Sequence, residues 1–131
     1  MTRSYFVSAG EMSGDLLGAD LVNALSRKFP NHQSFGNVGA AMRRAGVSPI
    51  YDIAELSTMG ISEVLARIAE FRMMEARMLE EIDRRKPDFA VLIDFPGMHF
   101  QLAEQLRLRR IPVIQYIAPK LWAWGQKRIK R

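Results

Sequence analysis

The sequence predicts an α/β domain built on a doubly wound sheet of parallel strands. Short apolar segments rich in β-branched and aromatic residues alternate with helical segments, and no hairpin signal joins neighbouring strands. Residues 89–93 form a continuous apolar run, which is typical of a central strand buried on both faces of a parallel sheet. A chain of 131 residues with 48% hydrophobic residues suffices for one modest domain.

The first strand and the first helix are the clearest elements. The strand is predicted over residues 4–9 and ends at Gly10, where a glycine-rich turn begins. A helix follows over residues 13–28, with Ser13 as its N-cap, and the proline at position 30 ends it. The apolar stripe that this helix is predicted to turn toward the sheet consists of Leu16, Leu17, Leu21 and Leu25.

The segment after this helix predicts smaller elements. A short second strand begins at residues 34–35 and is closed by Gly36. A turn and a short helix follow over residues 39–46. Residues 49–56 are ambiguous, and a short strand at residues 50–51 followed by a loop is one interpretation.

The second half of the chain predicts a long helix with an apolar stripe. The predicted elements are the long helix from Gly60 to residue 86, the strand at 89–93, a helix at 98–109 and a strand at 113–117. The stripe of the long helix consists of Ile61, Val64, Leu65, Ile68, Phe71, Met78 and Ile82. It is either the buried face of a helix that covers the sheet or a surface that contacts lipid, with Arg67 and Arg72 beside it. Met73 and Met74 add apolar surface off this stripe.

Composition and charge narrow the classes of protein. Cysteine is absent, which excludes disulfides and thiolate metal sites, and the two histidines are not at metal-ligand spacing, so no metal site is predicted. No apolar run approaches membrane-spanning length, and we expect a cytosolic protein. The net charge is +5, with an excess of basic residues in the last quarter that suits anionic lipid, phosphate or nucleic acid.

The turn from Gly10 to Asp15 carries two carboxylates between small residues. Its glycines are four residues apart, so it is not a dinucleotide-binding fingerprint, and it lacks the Lys-Ser or Lys-Thr of a P-loop. The turn either lets a ligand approach the backbone closely or serves backbone geometry alone.

Three strand ends are predicted to form one crevice, because ligands of such sheets bind beyond the carboxyl ends of the strands. These ends are the turn after the first strand, the residues from Asp94 to Gly97, and residues 118–124. Asp94 follows five apolar residues and is either a general base or a cap of the next helix. Trp122 and Trp124 either line the crevice or close the base of the loop.

Five motifs along the chain resemble those in the N-terminal half of the lipid-A-disaccharide synthases. This family consists of glycosyltransferases of bacterial outer-membrane biogenesis. The motifs are G-E-x-S-G-D-x-x-G at 10–18, a glycine followed by G-x-x-M at 36–42, E-L-x-x-M-G-x-x-E-V-L at 55–65, K-P-D with I-D-x-P at 86–96, and P-x-x-W-A-W-x-x-x-R at 119–128. They cover nearly the whole chain. Two departures are Gly97, where many relatives carry a second acid, and Ala40-Ala41, where Pro-Arg is usual.

This resemblance implies a B-type glycosyltransferase made of two Rossmann-like halves. Residues 1–131 would be the N-terminal, acceptor-side domain, with the C-terminal donor-binding domain absent, and the isolated chain would be inactive. The implied reaction joins UDP-2,3-diacylglucosamine to 2,3-diacylglucosamine 1-phosphate and releases UDP. It implies no cofactor, no metal and no nucleic acid, a cytoplasmic location peripheral to the inner-membrane surface, and it allows a homodimer.

The resemblance also suggests roles for individual residues. Asp94 would be the catalytic base. Substrate-binding residues would be Glu11, Ser13, Gly14, Asp15, Met59, Gly60, Pro119, Trp122 and Trp124. Residues in contact with the membrane or the acyl chains would be Ile61, Val64, Leu65 and Ile68.

The competing interpretation is a non-catalytic module that binds nucleotides or nucleic acid. It would need basic residues interleaved with exposed aromatic residues along one face, and the segment from Trp122 to Arg131 offers this pattern. Titrations with single-stranded oligonucleotides and with anionic vesicles would separate the two interpretations.

Overall fold

The chain folds as the predicted alternation of strands and helices. The computed structural model describes residues 3–53, 64–93 and 96–116, and for 64–68 and 96–98 it describes the backbone only. The elements are β1 (Arg3–Ala9), α1 (Met12–Lys28), β2 (His32–Val38), α2 (Ala40–Arg44), β3 (Ser48–Asp52), α3 (Val64–Arg85), β4 (Phe89–Ile93), α4 (Pro96–Leu108) and β5 (Val113–Tyr116).

The five strands form one parallel sheet in the order β3-β2-β1-β4-β5. From β1 the chain moves outward through β2 to β3, and it then returns to the other side of β1 to add β4 and β5. The strand order therefore reverses between β1 and β4. This arrangement confirms the doubly wound, Rossmann-like fold class, and it places the topological switch point between these two strands.

Successive residues of β1 point to opposite faces of the sheet, so the sheet separates two apolar clusters. Tyr5, Val7 and Ala9 belong to the cluster under α1 and α2, whereas Phe6 belongs to the cluster under α3 and α4. β1 and β4 are buried on both faces, which is why they read as continuous apolar runs.

Helix α1 packs through small residues rather than through leucines. Its buried residues are Gly14, Asp15, Gly18, Ala19 and Val22. A Cβ on Gly18 would lie 2.5 Å from Sδ of Met42, so a larger residue there would require the side chain of Met42 to move. The prediction that Leu16 faces the sheet is wrong, since Leu16 is 58% exposed. The close approach of α1 to the sheet displaces the leucine stripe to the rim of the contact.

Strand β2 is longer than predicted. It continues through Gly36 to Val38 instead of closing at Gly36, and a Cβ at Gly36 would lie 1.7 Å from the carbonyl oxygen of Val7. Gly36 has φ +156°, a region that residues with a side chain rarely adopt. The glycine thus allows close approach of two backbones rather than ending the strand.

The two edges of the sheet differ in sequence and geometry. The predicted strand at residues 50–51 is confirmed as part of β3, which contains Pro49. The register between β2 and β3 shifts between Gly36 and Asn37. At the other edge, Ile114 and Tyr116 of β5 are exposed.

Helix α3 is much longer than the strands it covers. Its 22 residues span about 33 Å at 1.5 Å per residue, while the five residues of β4 span about 17 Å. Met78 and Ile82 are buried against the sheet, which confirms a core role for this part of the stripe. Met74 is also buried, so the prediction that it lies off the buried stripe is wrong, whereas Met73 is 71% exposed. Among the described residues, no helix is both long and apolar enough to cross a membrane.

Candidate functional site

The candidate site is the carboxyl edge of the sheet at the switch point between β1 and β4, which is the position of the predicted crevice. Ala9 and Ile93, the last residues of these strands, are paired in the sheet, and Ile93 is also paired with Tyr116 at the end of β5. The prediction that these three strands end side by side is therefore confirmed. Gly10 and Asp94 follow directly from the two paired residues. The chain thus brings the glycine-rich turn and the segment with Asp94 to the same point of the sheet.

Helix α1 begins at Met12, one residue earlier than predicted. Glu11 occupies the N-cap position with an extended backbone, and no side chain caps this end of the helix. The prediction of Ser13 as the N-cap is wrong, because Ser13 lies inside the first turn. Glu11, Met12 and Ser13 are all exposed at the mouth of the crevice, next to the positive end of the helix dipole.

Gly14 fixes the distance between α1 and the two strands that flank the crevice. A Cβ on Gly14 would lie 3.2 Å from Cβ of Ala9 and 3.2 Å from Cγ2 of Ile93. Both contacts are tighter than ordinary van der Waals packing, so the absence of a side chain sets the position of the helix start. Direct contact between Gly14 and a substrate stays a prediction.

Asp15 has a structural role that was not predicted from its own turn. Its side chain is 4% exposed, and its Oδ1 accepts hydrogen bonds from the backbone N–H groups of Gly39 and Met42 at 2.9 and 3.0 Å. Its Oδ2 accepts a hydrogen bond from the N–H of Ala41 at 2.9 Å. One carboxylate of α1 therefore binds the free N–H groups at the start of α2. Substrate binding by Asp15 stays a prediction.

The contact between Asp15 and α2 has a signal in the sequence. Gly39 is the N-cap of α2 and the helix opens with two alanines, so the short helix contains no side chain that can cap its own first turn. A Cβ on Gly39 would lie 2.6 Å from Oδ2 of Asp15. Gly39 thus leaves room for the carboxylate of another element.

Three buried polar side chains lie together beside the crevice, and the sequence analysis missed them. Ser8 and Asn37 are fully buried and His99 is 4% exposed. The Asn37 amide nitrogen donates to Ser8 Oγ at 3.1 Å, and His99 Nε2 lies 2.8 Å from the same oxygen. The available signal was the occurrence of Ser8 and Asn37 inside otherwise apolar strand segments.

Two side chains with shifted pKa values, Tyr5 and Asp83, lie near the opposite end of the sheet. Burial raises the pKa of Tyr5 near the start of β1, and a hydrogen bond from Ser34 partly offsets this. On the surface near the end of α3, a hydrogen bond from Arg109 lowers the pKa of Asp83. Both groups lie near the end of the domain where the strands begin.

Several predicted site residues lie outside the described residues. These are Met59, Gly60, Ile61, Asp94, Pro119, Trp122 and Trp124. Val64, Leu65 and Ile68 belong to the first turns of α3, where only the backbone is described. Their assigned roles stay predictions.

The fold defines the class of protein, a Rossmann-like α/β domain, and proteins of this class bind ligands at the carboxyl edge of the sheet. The particular family follows from comparison with known proteins. The model of the lipid-A-disaccharide synthetase family matches residues 5–131, and the chain belongs to this family.

Curated relatives show the same similarity over nearly the whole chain. It is 47% identical to a lipid-A-disaccharide synthase of Koribacter versatilis over 95% of its own length and 33% of the relative. It is 40% identical to that of Myxococcus xanthus, with 95% and 32% covered, and 40% identical to that of Shigella flexneri, with 92% and 32% covered. The chain thus spans about one third of the length of these relatives.

Proposed function

We propose that the protein to which this chain belongs is a glycosyltransferase of lipid A biosynthesis. It would condense UDP-2,3-diacylglucosamine with 2,3-diacylglucosamine 1-phosphate to the disaccharide 1-phosphate and UDP. Family membership supports this activity over a nucleotide-binding or nucleic-acid-binding module. The observation that carries the proposal within the structure is the pairing of Ala9 with Ile93, which joins the two motif-bearing strand ends.

The proposed chemistry is displacement at the anomeric carbon of the donor. The 6-hydroxyl oxygen of the acceptor forms the new bond to this carbon, the bond from the carbon to the UDP oxygen breaks, and UDP leaves with the electron pair. Asp94 takes the hydroxyl proton as general base. Asp94 directly follows Ile93, the last residue of β4, and this supports the proposal.

The remaining predicted residues would bind the acceptor. Glu11 and Ser13 are exposed at the mouth, where they can reach sugar hydroxyls, while Gly14 and Asp15 act from below by fixing α1 and α2. Met59, Gly60, Pro119, Trp122 and Trp124 would complete the walls around the sugar and its acyl chains.

We further propose that residues 1–131 form the acceptor-side domain and that the donor site lies in the rest of the protein. The chain covers 33% of its relative from Koribacter versatilis, which leaves about two thirds for a second domain. A homodimer stays a prediction.

A comparison of two purified proteins tests this proposal. The full-length protein should release UDP and form the disaccharide from both lipid substrates, whereas residues 1–131 alone should form none. The control is a mixture of residues 1–131 with the separately expressed remainder of the protein. Disaccharide formation by this mixture would show that both parts are correctly folded. Product from the isolated chain would contradict the division between the two domains.

The start of α3 is the proposed membrane contact. The helix is about twice as long as the strands it covers, and Arg72 and Met73 are exposed on its described part. Cations beside an apolar surface match the phosphates and acyl chains of a bilayer. We propose that Ile61, Val64, Leu65 and Ile68 contact acyl chains and hold the protein at the inner-membrane surface.

Replacing Leu65 and Ile68 together by Ser tests this contact in the full-length protein. The double variant should bind anionic phospholipid vesicles about 10-fold less tightly, since two large apolar side chains no longer leave water, and its melting temperature should stay near that of the wild type. The matched control, Met74→Ser with Met78→Ser, removes buried residues of the same helix and should lower the melting temperature strongly. Unchanged vesicle binding with a large fall in melting temperature for the Leu65 and Ile68 variant would rule out the contact.

A further inference from the structure

The three buried polar side chains beside the crevice form one hydrogen-bonded chain across three elements. Asn37 lies one residue before the end of β2, Ser8 lies opposite it in β1, and His99 lies in the first turn of α4. The chain runs from the Asn37 amide nitrogen to Ser8 Oγ over 3.1 Å and from Ser8 Oγ to His99 Nε2 over 2.8 Å. It therefore connects the strand ends to the helix that follows Asp94.

The chemistry of the groups fixes the direction of the first of these hydrogen bonds. The amide nitrogen of Asn37 can only donate, and it faces both Ser8 Oγ and the Met78 sulfur, the latter at 2.7 Å. Exchanging the amide atoms would place an oxygen against this sulfur, where two lone pairs would repel. Ser8 therefore accepts from Asn37, and its oxygen keeps one hydrogen and one further lone pair. For the second bond we assign the Ser8 hydrogen to His99 Nε2, which places the ring proton on Nδ1.

The chain is not an efficient way to stabilise the core. Among the described residues, Oδ1 of Asn37 is buried and has no hydrogen-bond partner. A buried acceptor without a partner opposes folding, so an apolar side chain of the same shape would serve packing better. What the polar residues provide is a fixed place and orientation for the His99 ring.

His99 lies in the helix that directly follows the segment with Asp94. Helix α4 begins at Pro96, two residues after Asp94, while β4 ends one residue before Asp94. The sheet holds the connection at Ile93 through pairing with Ala9, and the polar chain holds it at the first turn of α4. Both ends of the short segment that carries Asp94 are thus attached to β1.

We propose that Ser8 and His99 are positioning residues for Asp94, with Asn37 orienting the Ser8 hydroxyl. This inference rests on the proposed function, because it assigns the catalytic base to Asp94. Loss of the chain would leave the substrate site in place but would let the base move relative to the acceptor hydroxyl. A misplacement of about 1 Å lowers catalysis by about 100-fold when a reaction depends on alignment.

Kinetics of the full-length protein provide the first test. Ser8→Ala and His99→Phe should each lower kcat by about 10- to 100-fold with little change in KM. His99→Gln should keep kcat within about threefold of the wild type, because its amide reaches about as far as Nε2 and can accept from Ser8. Ile82→Val is the packing control at the far end of the same layer, where the side chain is 1% exposed, and it should leave kcat unchanged.

Histidine ¹⁵N spectra provide a test that does not depend on turnover. In the wild-type protein, the resonance that disappears in His99→Gln should show an unprotonated Nε2 that accepts a hydrogen bond, and Ser8→Ala should shift it. A protonated Nε2 would overturn the assigned direction of the Ser8–His99 bond, and no shift in Ser8→Ala would overturn the hydrogen-bonded chain.

The kinetic outcomes separate this inference from the proposed function. If Ser8→Ala and His99→Phe keep full kcat, or if His99→Gln is as impaired as His99→Phe, the positioning role is overturned even though the protein is an active transferase. If the wild-type protein makes no disaccharide, the proposed function fails and the catalytic role fails with it, while the spectra still report on the chain itself.

Discussion

Replacing Asp94 by Asn should lower the turnover of the full-length protein by about 10²–10⁴-fold and leave the protein folded. Asparagine keeps the shape of the side chain but cannot accept the proton of the acceptor hydroxyl. No second carboxylate follows in this segment, since the sequence continues with Phe95, Pro96 and Gly97. Initial rates of disaccharide formation at saturating concentrations of both substrates measure the effect.

The control for this substitution is Asp83→Asn. Asp83 is also an aspartate next to a sheet-covering helix end, but it lies on the exposed side of α3 and pairs with Arg109. Its replacement should leave turnover within about twofold, because surface ion pairs contribute only about 0–1 kcal/mol to stability. Near-normal turnover of Asp94→Asn would refute the assignment of the base.

Replacing Asp15 by Ala should destabilise the protein by at least about 3 kcal/mol, because hydrogen bonds to a charged group contribute about 1.5–3 kcal/mol each and three are lost. The N–H groups of Gly39, Ala41 and Met42 would lose their acceptor, and at least two of these bonds are buried. Urea unfolding measures the total loss. Amide hydrogen exchange measures the local one, and it should become faster at these three positions.

Asp20→Ala is the matched control on the same helix. Asp20 is exposed on α1, so its removal should change the free energy of unfolding by less than about 0.5 kcal/mol. Equal effects of the two substitutions, or unchanged exchange at the start of α2 in Asp15→Ala, would show that the carboxylate does not hold this segment.

The sequence predicted the order of the elements and the edge at which the strand ends meet well, because both depend on local patterns. The apolar run at 89–93 predicts a strand that is buried on both faces of the sheet. The segment before Gly10 is a second apolar run of this kind. Once two such strands are placed in a doubly wound sheet, the neighbouring carboxyl ends follow from topology.

The predictions that were wrong, the face of α1 that packs on the sheet and the end of β2, depend on contacts between residues that are distant in the sequence. Whether Leu16 or Gly18 of α1 faces the sheet is decided by the room that Met42 and Ile93 leave, and no local pattern contains that distance. The same holds for Gly36, whose close neighbour is a carbonyl of another strand. Glycines at i and i+4 in a helix were the one available signal of close packing.

The residues around the site illustrate the same limit. Asp15 looks like a ligand-binding carboxylate when only its own turn is considered, and its partners are 24 to 27 positions away. Ser8 and His99 are separated by 91 positions. A single sequence gives no information on such pairs, so these contacts had to come from the structure.

The two edges of the sheet differ in how readily they can pair with a further strand. At β3, Pro49 lacks an N–H and the shifted register disturbs the ladder, so this edge is a poor template for another strand. At β5, four uncharged residues without proline leave Ile114 and Tyr116 exposed. Among the described strands, β5 is therefore the edge that is more open to pairing with a further strand, so the domain expressed alone should self-associate through β5 rather than through β3.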